Sequence, residues 1–452
     1  MRVALVTLGC DKNTVDSERY LGALIEHGAV QVFDPAAADV IVVNTCGFID
    51  AAKRESIDAI VQATKLKDGG GVQGVVAVGC MVQRHEAELR EALPEVDLFL
   101  GAAQTEQLVP EFQARGWLGA ADALHPGTRT YSGDAPHVRY LKLSEGCDHG
   151  CAFCAIPLMR GKHRSFALDD VVREAQLLEL QGAREVNLVA QDLAHYGRDR
   201  RDGVGLADAL EALVRETSIP WIRLMYLYSA GITPKLLEVI AREPRIVRYL
   251  DMPMQHAADA VLTRMRRPER KKTIREKVTR YRDAVPGVAI RTTCIVGFPG
   301  ETDADFQELL QFLEEMRFER VGAFTYSEQE GTHAATMVDD VPESIKRERL
   351  ELLTELQRGI TDERYGERVG TTAIALADGG RRARLPWQAD DIDGVTMLDV
   401  DADAGALVEV EVTDIDDFDF TATVKRVVSA TTAPAAAAPR YLPVASMGAF
   451  GR

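Results

Sequence analysis

Residues 138–154 read VRYLKLSEGCDHGCAFC, a strand-like run that leads directly into three closely spaced cysteines. Cys147, Cys151 and Cys154 form the spacing C-x3-C-x2-C, and three thiolates on so tight a loop can hold three irons of a 4Fe–4S cube. The fourth iron then keeps an open position for a ligand. A structural zinc with His149 or His163 is the alternative, but no second ligand pair follows at zinc spacing. The stretch therefore favours an iron–sulfur site.

The chain after this stretch alternates strand-like and helix-like segments. Parallel strands with intervening helices predict a partial (β/α) barrel over residues 134–366, with the cysteine loop at its carboxyl face. The helix-like segments include DADFQELLQFLEEM (303–316). The further strand-like runs are EVNLVAQD (185–192), WIRLMYLY (221–228), VRYLDMPMQH (247–256), VAIRTTCIVGFPG (288–300) and RVGAFTYS (320–327).

Polar and glycine residues stand at the ends of these strands, where a barrel of this kind places its site. Gln191 and Asp192 end the second strand, and Gln255 ends the fourth. A structural hydrogen bond is the alternative for each of them. In the segment GFPGE, Gly297 and Gly300 either let the backbone approach a bound adenosine or form an ordinary turn with positive φ.

Three further cysteines follow strand-like runs within residues 1–130. Cys10 comes after VALVTL, Cys46 after DVIVVNT and Cys80 after GVVAVG, with helix-like segments between the runs. This alternation predicts an N-terminal α/β domain with a parallel sheet, whose carboxyl strand ends share one edge. We therefore expect the three cysteines to converge on a second metal site, with three buried small side chains as the alternative. Cys294, inside IRTTCIVG, is expected to pack in the core.

The chain changes character near residue 370. Four short β-type runs separated by turn residues predict a small β-barrel or sandwich over residues 367–430. From Leu385 to Val424 there are twelve Asp and Glu residues and no Lys or Arg. Such a surface repels phosphate and attracts a basic protein, with a purely solubilising role as the alternative. The spacing of these acids does not match an EF-hand calcium loop.

Two segments are predicted to lie outside the folded domains. The polar stretch 125–137 contains Pro and Gly and predicts a linker. The Ala/Pro-rich segment 431–452 predicts a mobile tail. The folded part of the chain is therefore expected to end near residue 430.

Composition bounds the class of protein. The chain has 452 residues, 46% hydrophobic and 27% charged, which suits several globular domains and excludes wholesale disorder. It has no membrane-spanning apolar run, and MRVALVTLGC shows no secretory leader, so we expect a cytoplasmic protein. Seven cysteines, an odd number, disfavour a disulfide framework. A net charge of −17 disfavours general binding to nucleic-acid phosphates.

Two basic segments are interpreted as solvated. MRGKHR (159–164) follows the cysteine loop and is read as a solvated loop, with a contact to a carboxylate as the alternative. The later helix with Lys346, Arg347 and Arg349 is read as a solvated amphipathic face rather than a nucleic-acid reader. Neither segment changes the preference for a protein or small-molecule partner.

The cysteine loop and its flanks resemble a known family. C-x3-C-x-aromatic-C, with Phe153 as the aromatic residue, resembles the signature of the radical S-adenosylmethionine (SAM) superfamily. The N-terminal cysteine triad, this loop and the acidic β-module together resemble the methylthiotransferases over residues 1 to about 430. LGCDKNTVDSER, NTCGFIDAAKRESID, SEGCDHGCAFCAIPLMRGKHRS and MPMQHA resemble the branch that acts on ribosomal protein uS12, the RimO family. Asp11 replaces the more usual proline, and Phe166 a common basic residue.

The resemblance implies a radical mechanism with two clusters. Cys147, Cys151 and Cys154 would hold a 4Fe–4S cluster that binds SAM, and one-electron reduction would yield a 5′-deoxyadenosyl radical. Cys10, Cys46 and Cys80 would hold a second 4Fe–4S cluster that presents sulfur, and a second SAM would supply the methyl group. The implied product is a methylthio group on the β-carbon of an aspartate of uS12. The other residues assigned to cofactor binding are Phe153, Gln191, Asp192, Gln255, Gly297 and Gly300.

The resemblance also implies partners. The protein uS12, free or in the small ribosomal subunit, is the expected substrate, and an electron donor such as flavodoxin or ferredoxin the expected reductant. The C-terminal module resembles a TRAM domain, a β-barrel often used to grip RNA, but its acidity disfavours tRNA. The alternatives are the same chemistry on an adenosine of tRNA, or a non-enzymatic iron–sulfur docking protein. No membrane partner is expected.

Overall fold

The computed structural model describes residues 1–120, 129–130 and 135–430. Most of the linker predicted at 125–137, and the whole tail predicted at 431–452, lie outside the described residues. The described chain forms a five-stranded sheet, a six-stranded sheet, a closed barrel and a two-stranded sheet. No helix in the described ranges combines the length and apolarity needed to cross a membrane.

The first region is a parallel sheet in the order β2-β1-β3-β4-β5. Its central strands β3 and β4 are valine-rich and buried at every position, because separate apolar clusters cover the two faces of the sheet. The elements are β1 (Arg2–Thr7), α1 (Asp11–Glu26), β2 (Val30–Gln31), β3 (Val40–Thr45), α2 (Asp50–Asp68), β4 (Gly74–Gly79), α3 (Cys80–Ala92), β5 (Leu98–Gly101) and α4 (Leu108–Ala114).

The central region is a parallel sheet in the order β13-β12-β11-β10-β9-β6, which confirms the predicted partial barrel. β7 and β8, on either side of the cysteine loop and α5, pair with each other as a separate antiparallel sheet. Cys294 is fully buried in the largest core cluster, as expected. The elements are β6 (Val138–Lys142), β7 (Ser144–Glu145), α5 (Ile156–Arg160), β8 (Arg164–Ser165), α6 (Leu168–Leu180), β9 (Glu185–Val189), α7 (Leu206–Glu216), β10 (Trp221–Leu224), α8 (Pro234–Arg242), β11 (Ile246–Asp251), α9 (Asp259–Arg264), α10 (Lys271–Ala284), β12 (Ala289–Val296), α11 (Asp303–Met316), β13 (Arg320–Thr325) and α12 (Glu343–Gly366).

The C-terminal region is a closed four-stranded barrel, the first of the two architectures predicted. It packs against the residues just before two central strands: His137 Nε2 lies 2.9 Å from Asp378 Oδ1 ahead of β6, and Arg184 Nε donates to Gly405 O (3.0 Å) ahead of β9. The barrel therefore lies at the amino edge of the central sheet. Its strands are β14 (Thr372–Arg384), β15 (Thr396–Ala402), β16 (Leu407–Asp416) and β17 (Asp419–Ser429).

Candidate active site between two cysteine triads

Cys10, Cys46 and Cys80 converge at the carboxyl edge of the first sheet. Cys10 is the N-cap of α1, Cys46 directly follows β3, and Cys80 is the first residue of α3. Gly9 has a positive φ, and a Cβ at this position would lie 2.9 Å from Cys46 Sγ. The turn after β1 therefore brings the backbone of the first cysteine against the second, and the expected convergence is observed.

The surroundings of this triad raise the cost of a bare thiolate. Burial raises the pKa of Cys46, and it raises the pKa of Cys80 to about 12, with repulsion from the neighbouring thiols adding to both shifts. Arg160 acts in the opposite direction, since its Nε donates to Cys80 Sγ at 3.1 Å. Cys46 and Cys80 therefore ionise readily only when a cation sits beside them, which suits a soft metal or a cluster.

The second triad lies on the loop between β7 and α5. At the loop entry Gly146 has φ 79°, and a Cβ there would lie 2.1 Å from Lys162 O. Cys147 N donates to Gly161 O at 3.1 Å, so the chain on both sides of the loop is tied together. Burial raises the pKa of Cys147 to about 11 and that of Cys154 to about 12. The loop thus presents three partly buried thiols, the same donor chemistry as the first triad.

The spacing of the sulfur atoms argues against a single zinc ion. Among the described residues, the only group whose ligand atoms all lie within 4.8 Å of one another is His149, Asp192 and His195. Neither cysteine triad meets that limit, whereas zinc–sulfur bonds of about 2.3 Å place two tetrahedral thiolates only about 3.8 Å apart. As placed, neither set of three thiols is closed around one tetrahedral ion, and three cysteine sulfurs are the donors that an iron–sulfur cluster takes.

Arg267 is a residue of this site that the sequence did not single out. It is buried, its Nη1 lies 3.7 Å from Cys151 Sγ, and its guanidinium carbon lies 4.2 Å from the centroid of the Tyr228 ring. Its positive charge acts against the effect of burial on Cys154 and lowers the pKa of that thiol. In the segment MRRPER nothing in a single sequence distinguishes it from the neighbouring arginines.

Asp192 connects the cysteine loop to the barrel rim. Its Oδ2 lies 2.6 Å from His149 Nε2 and also contacts His195 Nδ1, while Oδ1 accepts from Ala194 N (3.0 Å) and Tyr228 N (3.2 Å). Although burial acts against ionisation, the hydrogen bonds from the two histidines hold the pKa of Asp192 well below its usual range. Because protein groups engage both oxygens, the geometry favours a role in holding the loop.

Gln191 gives a direct indication of a ligand. Its Nε2 donates to Glu145 Oε1 at 2.7 Å, whereas its buried Oε1 has no hydrogen-bond partner within the part of the chain that is described. A buried acceptor without a donor is costly, so an N–H or O–H group of a bound molecule suits this position. Phe153 packs, partly buried, in an apolar cluster with Phe298 and Tyr326, and so supports the cysteine loop.

Gln255, Gly297 and Gly300 lie on the rim and all have positive φ. For Gln255 the value is 73°, a conformation that non-glycine residues adopt mostly at strained, functional positions. A Cβ on Gly297 would lie 2.3 Å from Lys346 Cγ, and one on Gly300 would lie 3.1 Å from Arg264 Nε. Since protein side chains already fill the space beside both glycines, the geometry favours the turn interpretation for them.

Arg160 corrects the interpretation of MRGKHR (159–164) as a solvated loop. Its side chain is only 4% exposed and reaches into the first region. Nη1 pairs with Asp16 (2.5 Å) and Nη2 donates to Asn13 Oδ1 (2.5 Å), in addition to the contact of Nε with Cys80. The segment after the second triad therefore closes over the first triad, and this arginine lies at the junction of the two.

Helix α12 also differs from its interpretation as a solvated face. Lys346 and Arg349 are buried. Lys346 Nζ pairs with Asp339 Oδ2 (2.5 Å), and Arg349 Nη1 pairs with Glu301 Oε1 (3.0 Å). Arg347 is exposed, as expected. The two buried bases serve internal ion pairs, because their acidic partners come from segments next to the helix in the fold.

The acids of the C-terminal barrel divide into an engaged set and an exposed set. Asp393 is fully buried and pairs with Arg320 at 3.2 Å, and Asp417 pairs with Arg358 at 2.9 Å. The exposed face therefore carries fewer free carboxylates than the sequence count indicates. The exposed aspartates are Asp391, Asp399, Asp401, Asp403, Asp414 and Asp416.

Comparisons with known proteins define the class. Residues 2–101 match the family model described as Uncharacterized protein family UPF0004, and residues 141–313 match that of the Radical SAM superfamily. The solved structure of TsrM from Kitasatospora setae, a radical S-adenosylmethionine methyltransferase, superposes with a TM-score of 0.53 at 13% identity, over 72% of this chain and 74% of its own, a likeness of fold. A partial barrel with a three-cysteine loop at its carboxyl edge, matching this superfamily, is that of a radical SAM enzyme.

Relatives over nearly the whole chain define the family. The ribosomal protein uS12 methylthiotransferase RimO of Anaeromyxobacter sp. (strain K) is 45% identical over 99% of this chain and 98% of its own. That of Geobacter sulfurreducens (strain ATCC 51573 / DSM 12127 / PCA) is 41% identical over 88% of this chain and 92% of its own. The chain belongs to the RimO family of uS12 methylthiotransferases, which confirms the resemblance. It is a methylthiotransferase, with the SAM and 4Fe–4S cluster of the superfamily.

Proposed function

We propose that the chain methylthiolates the β-carbon of an aspartate in ribosomal protein uS12, using one SAM for radical generation and one as methyl donor. The observation that carries this proposal is the junction at Arg160. This side chain belongs to α5, which follows the second triad, and it donates to Cys80 of the first triad at 3.1 Å. A substrate carbon held at this junction would be within reach of both sites.

Two clusters are proposed, one for each triad. Cys147, Cys151 and Cys154 would bind the SAM-dependent cluster, and Cys10, Cys46 and Cys80 a second one. When bound, SAM and the first cluster supply a radical able to abstract hydrogen from an unactivated carbon, and the second cluster supplies sulfur. The triads fit such groups because each offers three cysteine sulfurs, the donors that hold 4Fe–4S clusters.

The chain's own residues would prepare these sites. Arg160 would favour the thiolate form of Cys80, and Arg267 that of Cys154. The unpartnered Oε1 of Gln191 would accept a hydrogen bond from bound SAM. Phe153 would support the loop, Asp192 would hold it through His149, and Gln255 would line the rim. Gly297 and Gly300 would act on the adenosine of bound SAM only indirectly, by shaping the turn at this part of the rim.

A division of labour along the chain follows from this proposal. Residues 1–130 would hold the second cluster, residues 134–366 the first cluster and SAM, and residues 367–430 a docking module. The exposed aspartates of that module would attract a basic protein and repel tRNA phosphates. The proposal includes a cytoplasmic location and a reductant such as flavodoxin or ferredoxin.

Mass spectrometry of an anaerobic assay tests the proposal. Reconstituted protein would be incubated with SAM and a strong reductant, with uS12 and tRNA offered in parallel. We expect uS12 to gain one methylthio group in place of a hydrogen on an aspartate, and tRNA to remain unmodified. The same group on tRNA alone would overturn the choice of substrate. Formation of deoxyadenosine without a methylthio group on either molecule would support radical SAM chemistry but would rule out uS12 as the substrate.

A further inference from the structure

Lys12 is a buried side chain with no carboxylate in ion-pair contact, and the groups that attract its charge are Cys10, Asp11 and Asp251. It lies in the first turn of α1, two residues after Cys10, and only 8% of the residue is exposed. Its Nζ lies 3.0 Å from the centroid of the Tyr226 ring. Across residues 1–120, 129–130 and 135–430, no carboxylate comes within the 4.0 Å ion-pair distance of this nitrogen. Burying a charge in this way is unfavourable unless a partner compensates the lost hydration.

The position of Lys12 links the two triads. Tyr226 lies just beyond β10 on the carboxyl edge of the central sheet, with φ 59°. Two residues later, Tyr228 stacks on His149, which lies between Cys147 and Cys151, with ring centroids 4.1 Å apart. The ammonium group of Lys12 therefore lies between Cys10 on one side and the rim that carries the second triad on the other.

The acids nearest to Lys12 are already engaged by other groups. Asp251 Oδ1 accepts from Arg291 Nη1 at 2.8 Å, and Asp251 Oδ2 accepts from Tyr226 N at 3.1 Å. Asp11 Oδ2 accepts from Tyr226 Oη at 3.0 Å and so fixes the ring beneath the ammonium group. The protein thus holds Lys12 in place through a cation–π contact but leaves its hydrogen-bonding capacity free.

The anion that would complete this arrangement is the side chain of the substrate. In the proposed reaction the β-carbon of an aspartate must lie between the two triads, and that carbon carries a carboxylate. We propose that Lys12 binds the side-chain carboxylate of the substrate aspartate and thereby positions its β-carbon at the junction. This inference rests on the proposed function. Arg160 does not take this role, because Asp16 and Asn13 already occupy its guanidinium.

Binding measurements with a matched pair of substrates test the inference. The affinity of reconstituted, SAM-loaded protein would be measured for uS12 and for uS12 with the methylthiolated aspartate changed to asparagine. We expect the wild-type protein to bind the aspartate form at least about tenfold more tightly, since a charged hydrogen bond is lost with asparagine. Lys12→Met should bring this ratio close to one, and Lys12→Arg should retain most of it. Lys65→Met, on the exposed face of α2, should keep the wild-type ratio.

Each other outcome overturns the inference. A wild-type ratio in Lys12→Met would show that Lys12 does not bind the carboxylate, while product formation on uS12 would leave the proposed function intact. Loss of bound iron or of the fold in both Lys12→Met and Lys12→Arg would assign the residue to the cluster or to the structure. If the wild-type protein forms no methylthio product on uS12, the proposed function fails, and this inference fails with it.

Discussion

A buried thiol is a poor metal ligand until it loses its proton, and Cys80 shows how single residues favour that loss. Burial raises its pKa to about 12. Two features act in the opposite direction: Arg160 Nε donates to its sulfur at 3.1 Å, and the cysteine is the first residue of α3, where the helix dipole favours negative charge. When a cluster binds at this triad, it therefore displaces a proton from the Cys80 thiol, because the thiolate is not formed beforehand.

Substitution of one cysteine in each triad should separate the two halves of the reaction. Cys147→Ala should abolish SAM cleavage, because the cluster that binds SAM cannot assemble with two thiolates. Cys46→Ala should leave SAM cleavage measurable and stop sulfur insertion. Deoxyadenosine and methylthiolated product would be quantified in the same reactions. Cys294→Ala is the matched control, since Cys294 packs in the core, and it should retain iron and both activities. Identical behaviour of the first two variants would contradict two independent sites.

The sequence analysis did not predict the roles of residues whose partners lie far away in the chain. Arg160 lies in a basic run that reads as solvated, yet its ion-pair partner Asp16 is 144 residues away in the chain. Arg267 is one of several arginines in a short segment, and only the folded rim brings it to Cys151. The cysteines were easier to predict, because their position after parallel strands fixes the sheet edge on which they lie.

At the scale of elements, the loop of the second triad depends on its entry turn. Gly146→Ala would place a side chain at φ 79°, with its Cβ 2.1 Å from Lys162 O. The left-handed conformation alone costs about 1–2 kcal/mol, and the contact with backbone adds to it. We expect a loss of more than about 2 kcal/mol in unfolding free energy and reduced iron content, measured by denaturant unfolding and iron assay.

The same loop contains its own control. Gly150 lies between Cys147 and Cys151, and an added Cβ would meet nothing within 4 Å. Gly150→Ala should therefore leave stability within about 0.5 kcal/mol of the wild type and retain iron. Equal losses in both variants would show that the loop tolerates no side chain anywhere, and that the entry turn has no special role.

Most strands were predictable from apolar runs, whereas their ends were not. The run WIRLMYLY predicts a strand over 221–228, but β10 ends at Leu224, because Tyr226 adopts a left-handed conformation. Helix α1 begins at Asp11, directly after Cys10, although its first turn is polar and shows no apolar period. In both cases the difference arises at the junction with another region, where tertiary contacts outweigh local pattern.

At the scale of the whole molecule, the second cysteine triad and the C-terminal barrel lie at opposite edges of the central sheet. The triad lies at the carboxyl edge, and the barrel packs on the amino edge through buried charges. Glu185 is fully buried and accepts from both Arg223 Nε (2.7 Å) and Arg384. A pair of arginines on one carboxylate fixes the barrel against the sheet, and leaving any of these charges unpaired would cost several kcal/mol.

Asp390, at this interface, should make stability depend on pH. Burial raises its pKa to about 6; attraction by Arg384 opposes this shift, and repulsion from Glu185, Asp391 and Asp378 adds to it. Between its ordinary pKa of 3.8 and about 6, the unfolded chain releases this proton while the folded chain keeps it. The contribution of Asp390 to the free energy of unfolding therefore falls as pH rises through this window.

Asp390→Asn should remove this pH-dependent loss. We expect the variant to be more stable than the wild type at pH 8, by on the order of 1–2 kcal/mol, with the difference shrinking below pH 4. Denaturant unfolding across this range would measure the difference. Asp403→Asn, which removes an exposed charge elsewhere in the same barrel, is the control and should keep the wild-type fall in stability. A constant difference at all pH values would attribute the effect to packing instead of charge.

The exposed acids of the C-terminal barrel act at the same scale, because a basic substrate that reaches both the barrel and the cysteines must extend across the central sheet. Asp403, Asp414 and Asp416 are exposed and form no ion pair among the described residues, so their charge is available to a partner. Changing all three to Asn should weaken uS12 binding about three- to tenfold at low salt and flatten its salt dependence, measured by titration at several ionic strengths.

Changing the same three to Glu keeps the charge and should keep the affinity. Electrostatic attraction of a basic protein must weaken when the charges that produce it are removed. Unchanged affinity and salt dependence in the Asn variant would therefore show that these acids only keep the protein soluble.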